Sequence, residues 1–145
     1  MSRLRLRLVS TVALVAVIAV SCGNSGSSEA AGDDSATKGL PDVPASDYKD
    51  ETGKGSVVID TRDNTFTPQY VTVSPGTKLE FENRGRTPHN VIPVEKDEFD
   101  AVPTEDLQPD DTAIITFDEP GEYPYYCSLH GTKTKGMTGR IKVEG

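Results

Sequence analysis

The stretch EPGEYPYYCSLHGTKTKGMTG, residues 119–139, carries the strongest structural signal in the chain. Tyr123, Tyr125 and Cys127 lie two residues apart, so in an extended strand their side chains share one face. The Pro-Gly pair that precedes them marks a turn before the strand begins. We expect Cys127 to end this strand, with His130 and Met137 on the loop that follows.

The chain from residue 54 onward alternates apolar and polar side chains in short runs. Turn signals rich in Gly, Pro, Asn and Asp separate these runs. Short strands at this spacing, without a helical period, predict an antiparallel β-sandwich over residues 54–145. The weak part of the pattern is Glu95–Asp111, which holds eight acids and one base. This segment fits a long loop, an irregular strand or a short helical turn.

Four side chains that can bind a metal gather in two short segments. Once the N-terminal region is set aside, the chain has one Cys, two His and one Met, all within Thr87–Val91 and Tyr125–Gly139. A thiolate and two imidazoles in a trigonal arrangement, with a weak axial thioether, suit both Cu(I) and Cu(II). Each residue alone is more often a core or hydrogen-bonded residue. Their order and spacing together predict a copper site.

The segments PHNV and YYCSLH, with the later GM, resemble the plastocyanin-type cupredoxins over about residues 55–145. The resemblance implies an all-β Greek-key sandwich in which His89, Cys127 and His130 are equatorial copper ligands and Met137 is the axial ligand. It also implies that Asn90 ties the two ligand segments together and helps to shield the thiolate. The outer ring edge of His130 is expected to pass the electron.

The ligand loop departs from the plastocyanin pattern in its length. The stretch from His130 to Met137 is longer by two residues, and the insertion lies in Gly131–Lys135. A longer loop either moves Met137 away from the copper or bulges outward. We expect Met137 to stay axial, because Gly136 and Gly139 keep the family's spacing around it.

The N-terminal region differs in composition from the rest of the chain. Three arginines precede the apolar run Val9–Val20, which is shorter than the ~20 residues of a membrane span but suits a signal peptide. The run ends at Ala-Val-Ser-Cys, which predicts lipoprotein cleavage and lipidation at Cys22; an ordinary signal peptide is the alternative. We predict a signal peptide over 1–21, a flexible linker over 22–53 and an extracytoplasmic domain anchored to the cell membrane by its N-terminal lipid alone.

The charge balance limits the classes of partner that the protein is expected to bind. Loss of the three leader arginines takes the formal net charge from −8 to −11, which excludes nucleic acid as a plausible partner. We predict a basic rim around the copper end, formed by Arg84, Arg86, Lys133 and Lys135, and an acidic flank over Glu95–Asp111. The alternative is that these are solvated loop residues. The expected partners are redox proteins, and the expected state is a monomer.

The predicted function is a one-electron carrier in which one copper ion cycles between Cu(II) and Cu(I). An enzyme is disfavoured, because a multicopper oxidase needs many more histidines than two and no spare His is available for a Ser/His/acid arrangement. Two alternatives stay open: a copper storage or delivery protein, and a copper enzyme with an open coordination position. Zinc also accepts Cys and His ligands, but methionine suits it poorly.

Overall fold

A computed structural model describes residues 40–145, so the predicted signal peptide and residues 22–39 of the predicted linker lie outside the described residues. Within 40–145 there is no α-helix, and no helix in that range is long and apolar enough to cross a membrane. Two 3-10 turns occur at Ala45–Asp47 and Thr104–Asp106. The strands are β1 (Lys49–Asp50), β2 (Ser56–Arg62), β3 (Thr65–Thr67), β4 (Tyr70–Val73), β5 (Lys78–Asn83), β6 (Ile92–Pro93), β7 (Thr112–Thr116), β8 (Gly121–Thr132) and β9 (Lys135–Val143).

The strands build two sheets that enclose a common core. One sheet has the order β1-β4-β9-β8-β6 and the other β3-β2-β5-β7. The predicted all-β sandwich is confirmed, but its pairing is mixed, not antiparallel throughout. The pairs β1–β4, β2–β5 and β4–β9 are parallel. These pairs arise because the chain crosses to the opposite sheet between two neighbouring strands, as in a Greek-key connection.

The core lies between the sheets and is filled by alternate side chains of each strand. The inward residues of β2 and β5 are at most 6% exposed: Val57, Ile59, Leu79 and Phe81. Phe66, Phe81 and Tyr125 pack edge to face with ring centroids 4.9–6.1 Å apart. Loss of one such ring costs about 3–5 kcal/mol. This packing fixes the end of β5, from which the first ligand segment continues, and the part of β8 that precedes the second ligand segment.

The acidic segment between β6 and β7 is a loop pinned by buried apolar residues. Val102 forms an isolated bridge with Val91, and Leu107 has no exposed surface. The 3-10 turn Thr104–Asp106 lies between these two anchors. Of the three structures that the sequence left open for this segment, the protein therefore adopts a long loop with one short helical turn.

Residues 40–50, which we call the N-terminal strap, lie against the five-stranded sheet. Strand β1 pairs in parallel with β4, and Arg140 of β9 donates a hydrogen bond to the carbonyl oxygen of Pro41 at 3.1 Å. The flexible linker was expected to extend to residue 53. Its last part instead has defined structure, because sheet pairing and a buried guanidinium hold it to the domain.

Candidate metal centre

The first ligand segment is fixed by a buried asparagine at the end of β5. The side chain of Asn83 donates to the carbonyl oxygens of Thr87 at 2.9 Å and Leu107 at 3.0 Å, and it accepts from the N–H of Gly85 at 3.0 Å. The backbone N–H of His89 also donates to Leu107, at 3.1 Å. The imidazole of His89 is thereby held with no exposed surface. Sequence reasoning took Asn83-Arg84-Gly85 as a turn signal but did not assign Asn83 this role in holding the ligand segment.

The second segment is a bulged part of β8. Tyr126 pairs with Thr138 and Gly131 with Gly136, so the register shifts between them and residues 127–130 bulge. The strand was expected to end at Cys127, with His130 and Met137 on a loop. Instead β8 continues to Thr132 and Met137 belongs to β9. The bulge allows Cys127 and His130 to reach the same point without breaking the strand.

The segment Gly131–Lys135, which contains the two-residue insertion, forms the end of a hairpin. Thr132 pairs with Lys135, so residues 133 and 134 make the turn. Gly136 has φ +81°, and a Cβ atom there would lie 2.6 Å from the carbonyl oxygen of His130. The insertion therefore extends outward, while Met137 stays in the core at 1% exposure. We call residues 127–137 the ligand hairpin.

Three donor atoms converge beneath this hairpin. The Sγ atom of Cys127 lies 3.8 Å from Nδ1 of His89 and 3.5 Å from Nδ1 of His130, and all three donors lie within 4.8 Å of one another. With metal–nitrogen bonds of about 2.0 Å and metal–sulfur bonds of about 2.3 Å, a trigonal plane separates sulfur from nitrogen by about 3.7 Å. The observed separations fit one metal ion between the three side chains.

The protonation of His89 favours metal binding. Burial lowers the pKa of His89, and the neighbouring His130 lowers it further. A neutral imidazole is the form that binds a metal. The other ring nitrogen of His89, Nε2, is buried and has no hydrogen-bond partner within residues 40–145. The ring therefore presents Nδ1 to Cys127.

Asn90 joins the two ligand segments. Its Oδ1 accepts from the N–H of Ser128 at 2.8 Å, and its Nδ2 donates to Oγ of Ser128 at 2.9 Å and to Oγ1 of Thr104 at 3.3 Å. Asn90, which follows His89, thus holds Ser128, which follows Cys127. Sequence reasoning missed Thr104, because the acidic loop that carries it has no repeating pattern.

Comparison with known protein families identifies this centre. Residues 53–144, which contain every donor, match the family described as copper binding proteins, plastocyanin/azurin family. The chain belongs to the plastocyanin/azurin family. Copper is therefore its cofactor, and the trigonal thiolate–imidazole donor set suits both oxidation states of that metal.

Related proteins and structures agree with this family. Plastocyanin of Solanum crispum is 36% identical over 88 residues, which cover 54% of this chain and 86% of that plastocyanin. Chloroplastic plastocyanin of Pisum sativum is 35% identical over 88 residues, 54% of this chain and 51% of the relative. An amicyanin variant with Cu(I) superposes with a TM-score of 0.54 at 26% identity, over 62% of this chain and 83% of amicyanin. A copper-containing nitrite reductase of Thermus scotoductus gives 0.53 at 26% identity, over 62% of this chain and 22% of the enzyme.

The four basic residues of the predicted rim differ in whether their charged groups have a partner. Arg84 forms an ion pair with Glu82, and the ammonium of Lys133 donates to the carbonyl oxygen of Val94. Arg86 and Lys135 are exposed and have no ion-pair partner within residues 40–145. The copper end of this cupredoxin also presents Leu129, 51% exposed, which sequence reasoning did not single out.

Proposed function

We propose that the protein is an extracytoplasmic carrier of single electrons, with one copper ion held by His89, Cys127, His130 and Met137. The copper supplies the redox chemistry by alternating between Cu(II) and Cu(I). The observation that carries this proposal is the buried thiol with two imidazole nitrogens, all within 4.8 Å of one another. Ligands that are already in place move little when the charge on the metal changes, so little energy opposes electron transfer.

The proposed role of each ligand follows from how exposed its side chain is. Cys127, with no exposed surface, gives up its proton on binding and holds the metal away from water. His89 is equally buried and serves as a fixed ligand. His130 is only partly buried and lies on the ligand hairpin, so electrons enter and leave through its outer ring edge.

Met137 is proposed as the axial ligand. It is the only methionine of residues 40–145. It lies in β9, in the core cluster that also contains Cys127. The inserted residues extend the hairpin outward, which removes the reason to expect that Met137 is displaced from this position.

The N-terminal region supports a place outside the cytoplasmic membrane. We propose cleavage before Cys22 and lipidation of its thiol, so that the protein reaches the membrane only through this lipid. With Cys22 modified, Cys127 is the one remaining thiol of the chain, and copper gives it a role in an oxidising compartment. A Cys22→Ser chain should be released from the membrane fraction, and mass spectrometry of the wild-type protein should show the acyl mass on residue 22.

Two other functions compete. Similarity to a nitrite reductase domain is compatible with a copper enzyme that has an open coordination position, and storage or delivery of copper uses the same ligands. Delivery favours exposed ligands that exchange readily, whereas Cys127 and His89 are fully buried. An open coordination position requires that Met137 does not bind the metal. The burial of Met137 in the core, in the same cluster as Cys127, argues against this. We therefore place electron transfer first.

The deciding experiment is to load the full chain, in detergent, with Cu(II) and to record its visible and electron paramagnetic resonance spectra. Electron transfer through a four-ligand site predicts an intense blue thiolate-to-copper band and a narrow copper hyperfine splitting. A Met137→Ala variant is the matched control and should change the hyperfine splitting. A pale wild-type protein with ordinary splitting would contradict the proposal and favour the open-site enzyme or the copper-handling protein.

A further inference from the structure

The N-terminal strap precedes the part of the chain that matches the copper-binding family, which begins at residue 53. Its docking depends on Arg140, which is only 7% exposed. One guanidinium nitrogen of Arg140 donates to the carbonyl oxygen of Pro41 at 3.1 Å, and the other lies 3.3 Å from a carboxylate oxygen of Glu122. A guanidinium this buried needs a hydrogen-bond acceptor on each side, and one of them is the strap, so Arg140 fixes the strap to β9.

A second contact holds the C-terminal half of the strap. The rings of Tyr48 and Tyr70 lie 5.7 Å apart, and burial raises the pKa of Tyr48 to about 12. Strand β1 then pairs with β4. Glu122 contributes to the raised pKa of Tyr48 and Arg140 opposes it, so Tyr48 also lies beside the Arg140–Glu122 pair. The strap is therefore held at residue 41 by Arg140 and at residues 48–50 by Tyr70 and β4.

The first residues of the strap lie beside the ligand hairpin. A cavity of about 110 Å³ is lined on one side by residues 40–43 and on the other by Lys133, Thr134 and Thr138. Val94 lines the same cavity and accepts the hydrogen bond from Lys133. Strap, hairpin tip and Val94 thus meet around one small space.

We propose that the strap braces the ligand hairpin and that Arg140 is the positioning residue of this brace. Arg140 follows Met137 by three residues on β9, with Met137 in the core and the strap on the other side of the strand. A hairpin that projects beyond the sheet opens readily unless something else packs against it. The strap restricts that opening and so keeps His130 and Met137 in place. The consequence for copper rests on the proposed electron-transfer function; the mechanical coupling does not.

The test uses the full chain and three variants. Arg140→Met removes the donor to Pro41, and Tyr48→Ala weakens the other end of the strap by removing the ring packed on Tyr70, while Arg140 remains. Glu122→Gln is the control, because it keeps an acceptor oxygen for Arg140 and leaves the bond to Pro41. In copper-free protein, amide hydrogen exchange of residues 131–138 should become about tenfold faster in Arg140→Met, the factor expected for loss of one hydrogen bond from a charged donor. Exchange in Tyr48→Ala should also be faster than in the wild type, by a smaller factor, because only a ring contact is lost. The control should match the wild type.

The copper-loaded proteins supply the functional readout. Transfer of copper to a chelator should accelerate in Arg140→Met and Tyr48→Ala, and not in Glu122→Gln. Unchanged hairpin exchange in both variants would overturn the brace. A change in Arg140→Met alone would also overturn it, since the effect would then lie within β9. A wild-type chain without a blue band would instead refute the proposed function, while the exchange data would still decide whether the brace exists.

Discussion

His89 and His130 place equivalent nitrogen atoms beside Cys127, yet the chain around each is built differently. The His89 side, residues 83–90 with 102–107, is held by Asn83, Asn90 and the carbonyl oxygen of Leu107. The His130 side is the ligand hairpin, whose tip is exposed. The difference shows that one imidazole is a fixed part of the interior and that the other is partly exposed, which supports its proposed role as the contact between copper and the outside.

Removal of each imidazole in turn should give the largest effect. His89→Gly and His130→Gly should both lose the blue copper band. Added imidazole should restore it only in His130→Gly, because that position is open to solvent and the position of His89 is fully buried. A titration with imidazole, followed by visible spectroscopy, measures this. Equal rescue of both variants would abolish the distinction between the two sides.

Asn83→Ala tests how much the His89 side depends on its hydrogen bonds. The change leaves the carbonyl oxygen of Thr87 and the N–H of Gly85 without their partner, and it should lower the free energy of unfolding by about 3 kcal/mol. Thr134→Ala at the exposed hairpin tip is the matched control, with an effect below about 0.5 kcal/mol. Urea denaturation of the copper-free proteins measures both. Similar losses would mean that the two sides are equally rigid.

Two glycines offer a smaller, paired test. A Cβ atom at Gly131 would lie 2.7 Å from the backbone nitrogen of Met137, whereas one at Gly85 would lie 3.3 Å from Asn83 and 3.7 Å from His89. Gly131→Ala should therefore cost about 2 kcal/mol and alter the copper hyperfine splitting, because Met137 must shift. Gly85→Ala should cost less than about 1 kcal/mol and leave the spectrum nearly unchanged. A larger spectral change in Gly85→Ala than in Gly131→Ala would show that the copper site tolerates added volume less well on the His89 side.

The sequence predicted the ligands on both sides of the copper site, but it did not predict the structure that holds them. Alternation placed Cys127 on the same strand face as Tyr123 and Tyr125. The resemblance to cupredoxins named the ligands, because few residue types bind copper and these are scarce here. The course of the hairpin was not predictable, since register after a bulge depends on pairing between β8 and β9 and not on local pattern. The roles of Asn83 and Arg140 were missed for a related reason. Their partners are backbone oxygens 24 and 99 residues away along the chain.

Glu98, in the acidic loop, makes the stability of the domain depend on pH. Burial and, to a smaller extent, the neighbouring Glu95 raise the pKa of Glu98 to about 7. Tyr123 also faces this carboxyl. In the unfolded chain the proton is lost near pH 4.5, so the stability tied to Glu98 should fall as pH rises from 4.5 to 7 and then level off. Glu98→Gln should remove this fall, as measured by urea denaturation across that range. A parallel pH profile in the two proteins would show that Glu98 does not contribute.

The smallest expected effect concerns Arg86 and Lys135, the two cations of the predicted rim that have no ion-pair partner within residues 40–145. Lys135 lies on the His130 side and Arg86 on the His89 side, and both are exposed. If electrons leave through His130, Lys135→Gln should slow oxidation of the reduced protein by ferricyanide about twofold at low salt, and Arg86→Gln should have less effect. The difference should vanish at high salt, because charges more than about 10 Å apart are screened at 0.1 M ionic strength. A larger effect at Arg86 would move the site of electron exit to the His89 side, against the exposure of the two rings.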